Sequence, residues 1–281
     1  AEGPLFRSYK GGTSPTRVFP RLEDLVNNID ADWEELPGVP RSLNFRVIAR
    51  DNAAQAGGVD FDDTSIKVAD NAGPFQLLSP DTAVVWKAGE TRTVNWDVAN
   101  TTAEPVACAN VRISLSTDGG FTYPYVLLST TPNDGSAEVQ VPDFISDNCR
   151  VKVEGMGNIF FDISNANFSI QPAEVPSFLV SLSTNELDVC APESVSFELG
   201  IQPLLGFDTL VQIDVSGGPA GMSTALSSNT VLPGQSVSVT LGNLTSEMAG
   251  TYPLTAEATA GTVSRTLTLV LTISPGIPNS I

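Results

Sequence analysis

Apolar and polar residues alternate in short runs along most of this 281-residue chain. Within 43–50, Leu43, Phe45, Val47 and Ala49 occupy every second position, the period of a strand with one covered face. A loop over 51–63 and a second strand near 64–69 follow. Between 74 and 172 the pattern predicts strands near 83–86, 91–98, 110–116, 125–129, 136–141, 149–154 and 167–171. Thr117-Asp118-Gly119-Gly120 and Asn133-Asp134-Gly135 supply turns between them. Beyond 173, strands are predicted near 177–183, 194–201, 209–216, 236–242, 251–259 and 262–273. The one helical spacing is Leu22, Leu25, Val26, Ile29 and Trp33 after Pro20, enough for one or two turns.

This pattern predicts an all-β fold. The second and third segments have the strand number and spacing of immunoglobulin-like or fibronectin-like antiparallel β-sandwiches in tandem. Trp86 and Trp96 are expected in the core of the second. Gly250-Thr251-Tyr252 resembles a tyrosine corner, in which the Tyr252 hydroxyl bonds backbone. The first segment offers only two strands, too few for a sandwich, and reads as half a domain. The expected modules are 1–73, 74–172 and 173–281, with short linkers near 72–73 and 172–176. The tail from 275 reads as the start of another linker, and Ala1-Glu2-Gly3-Pro4 reads as a processed end without a signal peptide.

Composition narrows the chemistry. No histidine occurs anywhere. That excludes the H-E-x-x-H metal helix and every Ser-His or Cys-His catalytic unit. The acid pairs Glu34-Glu35 and Asp62-Asp63 are sequence neighbours, not two acids facing each other across a cleft as glycoside hydrolysis requires. The chain is therefore not expected to be an enzyme. The net charge is −18, and Arg265 is the single cation after position 172. Nucleic acid and anionic membrane surfaces are poor partners for such a chain. No run of about 18 apolar residues is present to insert in a membrane. The basic group Arg7, Lys10, Arg17 and Arg21 reads as internal pairing with the acidic remainder.

One series of residues is more specific. It runs Gly73-Pro74-Phe75, Ser79-Pro80, Trp86, Ala88-Gly89, then Val94-Asn95-Trp96-Asp97-Val98-Ala99. It continues through Cys108-Ala109-Asn110-Val111, Leu115-Ser116-Thr117-Asp118-Gly119-Gly120 and Thr131-Pro132-Asn133-Asp134-Gly135-Ser136, and closes on 157–168. This resembles the module downstream of the catalytic domain in secreted reprolysin-like zinc metalloproteases of Bacteroidetes and related surface proteins. Upstream, Leu5-Phe6-Arg7-Ser8, Arg17-Val18-Phe19-Pro20 and Leu43-Asn44-Phe45-Arg46 resemble the segment that completes a cadherin-like or PKD-like domain in that family. The third module resembles the family's following Ig-like repeat through Val189-Cys190-Ala191-Pro192 and 249–252. The resemblance implies a partial cadherin/PKD-like domain followed by two sandwiches, on a secreted or cell-surface protein. It carries no metal-ligand motif to this chain.

Candidate sites follow. Asp51, Asn52, Asp60, Asp62 and Asp63 cluster between strands, with Asp70 and Asn71 close by. Oxygen-rich loops of this kind hold Ca²⁺, the one candidate cofactor; a solvated acidic turn is the alternative. Cys108 and Cys149 both precede strands in one module and are paired as a disulfide, leaving Cys190 as a buried thiol, with an intermolecular bridge or a reactive group as the alternative. Thr82 in Asp81-Thr82-Ala83 and Thr209 in Asp208-Thr209-Leu210 fit the Bacteroidetes O-glycosylation pattern. Phe121, Tyr123 and Tyr125 share a face if extended, either as a glycan-binding row or as hairpin packing. Asp118 and Asp134 read as turn formers.

The function expected is structural and adhesive: extracellular modules, possible in sharper form as a filament subunit joined by strand completion of the first domain. The alternative is a substrate- or glycan-binding accessory region of a secreted zinc metalloprotease. Partners are then a second copy of the chain, or a surface glycan or protein.

Overall fold

The computed structural model describes residues 5–6, 8, 12, 16–30, 34–51, 53 and 57–276. Two units emerge: one formed by 1–74 with 99–107, the other by 75–98 with 108–281.

The first unit holds one short helix, α1 (Leu22–Val26), and a two-stranded hairpin, β1 (Arg41–Arg50) and β2 (Val59–Val68). The helical spacing is realised for five residues only; Ile29 is exposed and Trp33 lies outside the described residues. Ten residue pairs set the hairpin register, from Arg41 opposite Val68 to Arg50 opposite Val59. The loop 99–107 is tied to this unit by Asn100 Nδ2 donating to Asn71 O and Asn71 Nδ2 donating to Glu104 O.

The second unit contains two sandwiches, each with its own core. The first combines a sheet of β3 (Gln76–Ser79), β5 (Thr91–Asp97) and β8 (Ser136–Gln140) with a larger one. The larger orders β4 (Val85–Lys87), β11 (Phe168–Gln171), β9 (Ser146–Gly155), β6 (Asn110–Ser116) and β7 (Tyr125–Pro132), with β10 (Phe161–Ile163) on β9. Val94, Trp96, Val111, Ile113, Leu115, Val151 and Val153 fill the space between the sheets. Trp86 and Trp96 are buried there as expected. Trp86 packs on Phe168 with ring centres 4.5 Å apart. Trp96 Nε1 donates to Asn133 Oδ1 at 2.9 Å, and Asn133 Nδ2 donates on to Cys108 O. The indole N–H thereby keeps a partner inside the core.

The second sandwich orders β12 (Ser177–Leu182), β14 (Val195–Leu204), β18 (Ser236–Gly242) and β16 (Ser223–Leu226) in one sheet. The other orders β13 (Glu186–Cys190), β20 (Val263–Ser274), β19 (Gly250–Ala260), β15 (Val211–Gly217) and β17 (Thr230–Val231). Along β14 and β18 alternate residues turn inward: Phe197 pairs with Val239 and Leu199 with Val237, and all four are buried with Ile201 and Leu241. Tyr252 is half-buried, but its hydroxyl lies beside Gly250 and bonds no described residue, so the expected corner bond is not made.

Two cysteine expectations are corrected. Cys108 donates to Asn110 O and Met156 O, at the end of the β6–β9 ladder where Val111 faces Gly155. Cys149 donates to Ser146 O beyond the other end, where Ser116 faces Arg150. The intervening ladder is about 20 Å long at ~3.4 Å per residue, whereas a disulfide tolerates about 7 Å between Cα atoms. Both are free, buried thiols whose pKa burial pushes up. Cys190 ends β13 on its outer face and is exposed.

The connection near 172–176 is not an open joint. Gln140 Nε2 donates to Phe178 O while Val180 N donates back to Gln140 Oε1, at 3.3 and 3.4 Å. Ser129 Oγ donates to Thr268 O, and Lys87 pairs with Glu174 at 2.8 Å. Arg112 pairs with Glu186. Arg265 reaches from β20 into the seam. It donates to Gly89 O, to Thr91 Oγ1 at 3.2 Å, to Ser177 Oγ at 3.0 Å and to Phe178 O at 3.4 Å. Gly89 has φ +80°, and a Cβ there would come within 2.5 Å of Leu204 Cδ1. The positive φ favours glycine there, and a side chain would also push the Leu204 methyl aside.

Candidate functional site

The hairpin of the first unit is half covered. On one face Leu43, Phe45, Ile66 and Val68 are half-buried, with the Phe19 ring 5.1 Å and the Phe6 ring 5.9 Å from that of Phe45. Beyond Phe45 the cover ends. Val47, Ile48, Val59 and Phe61 are 52–67% exposed. Ile48 stands opposite Phe61 on the other face, next to Arg46, whose guanidinium lies 4.2 Å from the Phe61 ring centre. The sheet contains β1 and β2 alone, so each strand has an outer edge without a described partner. Unpaired edges and uncovered apolar side chains are features that stable monomeric β-proteins ordinarily avoid.

The acidic cluster falls on the same hairpin, and strand alternation disperses it. Asp60 and Asp62 project to one face and Asp63 to the other. Asp63 is held by Arg46 through two bonds of 2.7 Å, which lower its pKa. Asp51 accepts from Ala53 N and Gly58 N and closes its own loop; those bonds lower its pKa as well. Asn52 lies outside the described residues. Among the described residues no three acidic side chains converge to share a metal ion. Among the described residues the candidate acids are therefore dispersed, because a strand's period of two sends neighbouring side chains to opposite faces.

The aromatic row is also dispersed. Phe121 is exposed in the turn. Tyr123 packs its ring under Lys152, at 5.2 Å, and its buried hydroxyl has no hydrogen-bond partner among the described residues; burial raises its pKa. Tyr125 starts β7 and stacks on Phe144, with centres 3.9 Å apart and planes 27° apart. Pro124 and the turn break the extended run that a common face required.

Asp118 is a turn former, as read from the sequence. It accepts from Phe121 N, Thr122 N, Thr122 Oγ1 and Ser116 Oγ. Burial pushes its pKa up, but the bonds from Thr122, Ser116 and Phe121 outweigh this and hold it down at about 2. Thr82 and Thr209 both lie exposed outside strands, and Asp81 beside Thr82 accepts from Asn165 N and Nδ2.

A cleft that the sequence does not announce lies between the two sandwiches. It encloses about 370 Å³, bounded by the start of β7, the loop after β8 and strands β12, β14 and β20. The Tyr125–Phe144 stack forms part of its wall, with Asp143, Asn185 and Gln202 around it. The available signal was Asp143-Phe144-Ile145, a loop in which two large apolar residues follow an acid; Phe144 and Ile145 are both exposed.

No protein-family model matches this chain, and no curated protein matches it. Among solved structures, domains 4 and 5 of the S-layer protein SbsC are 14% identical over 62% of this chain and 81% of theirs, at TM-score 0.28. An I-band fragment of titin is 15% identical over 69% of this chain and 63% of its own, at TM-score 0.24. An endo-fucoidan hydrolase of glycoside hydrolase family 107 is 13% identical over 85% of this chain but 35% of its own, at TM-score 0.27. The chain is all-β, with Ig-like and fibronectin-like sandwiches. No helix among the described residues is long and apolar enough to cross a membrane.

Proposed function

We propose that this chain is a non-catalytic, structural and adhesive part of a secreted or cell-surface protein. In the sharper form of this reading it is an assembly subunit. A strand from a second copy completes the β1–β2 hairpin and covers Val47, Ile48, Val59 and Phe61. The observation that carries the reading is the combination of hairpin edges that have no described partner with those four exposed apolar side chains. β-Strand addition satisfies both at once: backbone groups pair along the edge while alternate side chains seat on the uncovered faces. The docked sandwiches of the second unit supply a stiff spacer suited to such a subunit. A metalloprotease-associated origin remains an expectation from the sequence resemblance.

Light scattering of the chain and of Ile48→Lys tests the reading. Ile48 is 52% exposed, so lysine there leaves the folded hairpin intact while placing a charge in the proposed joint. The expected result is concentration-dependent mass above the 29.6 kDa monomer for the parent chain, and monomer for the variant. A parent chain that stays at monomer mass across the concentration range contradicts it.

A further inference from the structure

We infer that the cleft between the two sandwiches binds a neutral carbohydrate. This is independent of the assembly reading, because the cleft lies wholly within the second unit. Its volume of about 370 Å³ falls within the range of small-ligand sites, roughly 300–1,000 Å³, and such sites favour module junctions.

The wall chemistry selects the ligand class. The Tyr125–Phe144 stack presents aromatic surface, and Phe144 remains 39% exposed. Such a surface suits a ligand with an apolar face. Around it stand the Asp143 carboxylate and the Asn185 and Gln202 amides. None of these three side chains is hydrogen-bonded to a described residue, so all are available to a ligand, whereas the neighbouring Gln140 is spent on Phe178 and Val180. A carboxylate accepts from hydroxyls, and an amide both donates and accepts. Together with an aromatic platform they match a polyhydroxylated ring that has one C–H face. No Lys or Arg lines the cleft, and the chain carries −18 overall, which disfavours sulfated or uronic-acid glycans. A single carboxylate is also a thin complement for a strongly cationic ligand.

The floor of the cleft is preorganised. Gln140 fixes β12 against β8, and Thr268 fixes β20 against β7, so the two halves of the wall are held at a set spacing. Preorganisation reduces the ordering cost of binding.

The test is a printed array of neutral, sulfated and uronic-acid oligosaccharides probed with the whole chain. Calorimetric titration with the best neutral oligosaccharide follows. The expected result is binding confined to neutral glycans. Phe144→Ala and, separately, Asp143→Ala should each weaken it about tenfold or more, equivalent to ~1.4 kcal/mol. Asp143 is exposed and bonds no described residue, so its variant keeps the parent melting temperature and separates lost contact from lost fold. Ile48→Lys should leave glycan binding unchanged. Three outcomes overturn the inference: no glycan retained on the array, retention of acidic glycans alone, or unchanged affinity in Asp143→Ala.

Discussion

Asp118 shows what a single acidic side chain does in this protein. Four donors converge on its carboxylate in the turn between β6 and β7. The sign of its pH dependence follows from the depressed pKa. Its ordinary value is 3.8 and its folded value about 2, so the folded state gains from the ionised form. That stabilisation is fully present above about pH 4 and disappears as pH falls through about 2. Asp118→Ala should cost about 1 kcal/mol at neutral pH, allowing for the exposure of the turn. Thermal melts of parent and variant between pH 6 and 2 should converge at the acid end; a gap that persists unchanged at pH 2 contradicts the assignment. This role was legible in Asp118-Gly119-Gly120, because turn chemistry is local. The fate of Asp60, Asp62 and Asp63 was not, since proximity in sequence says nothing of the face on which a strand displays each residue.

At the scale of elements, legibility tracked length and alternation. The long inward-facing runs of β5, β6, β9, β14, β18, β19 and β20 were predicted close to their observed positions. Those missed are short: β3, β10, β13, β16 and β17 span two to five residues. β17 is the pair Thr230–Val231, too brief to display a period. β13 does alternate, with Leu187 and Val189 inward, but it pairs in parallel with β20, about eighty residues away, and no local turn signals that partner. The cysteine pairing failed for a related reason. Both residues precede strands, yet β6 and β9 are antiparallel, so the starts of the two strands lie at opposite ends of their ladder. In the first unit two strands were expected and two are present, but β2 begins at Val59, inside the stretch expected to be loop.

For the whole molecule, the feature least visible in sequence is the seam between the sandwiches. It joins Gly89, Gln140 and Arg265, residues far apart along the chain. The only clue was that Arg265 is the single cation of an acidic module. Arg265 binds neutral oxygens on both sides of the seam, and burial lowers its pKa. Arg265→Ala removes these bonds and should cost about 2 kcal/mol. Calorimetry should then resolve two unfolding transitions, one per sandwich, where the parent chain shows a single one. A variant that still unfolds in one transition at the parent temperature would show that Gln140 and the β7–β20 contact suffice. The proposed assembly rests on a hairpin whose two outer edges have no described partner. The most direct test of that claim is amide hydrogen exchange on the chain from dilute to concentrated solution. Protection is expected to rise with concentration at those β1 and β2 amides that point away from the partner strand, while amides of β5, β9, β14 and β19 stay unchanged. Rapid exchange along both hairpin edges at every concentration would contradict it.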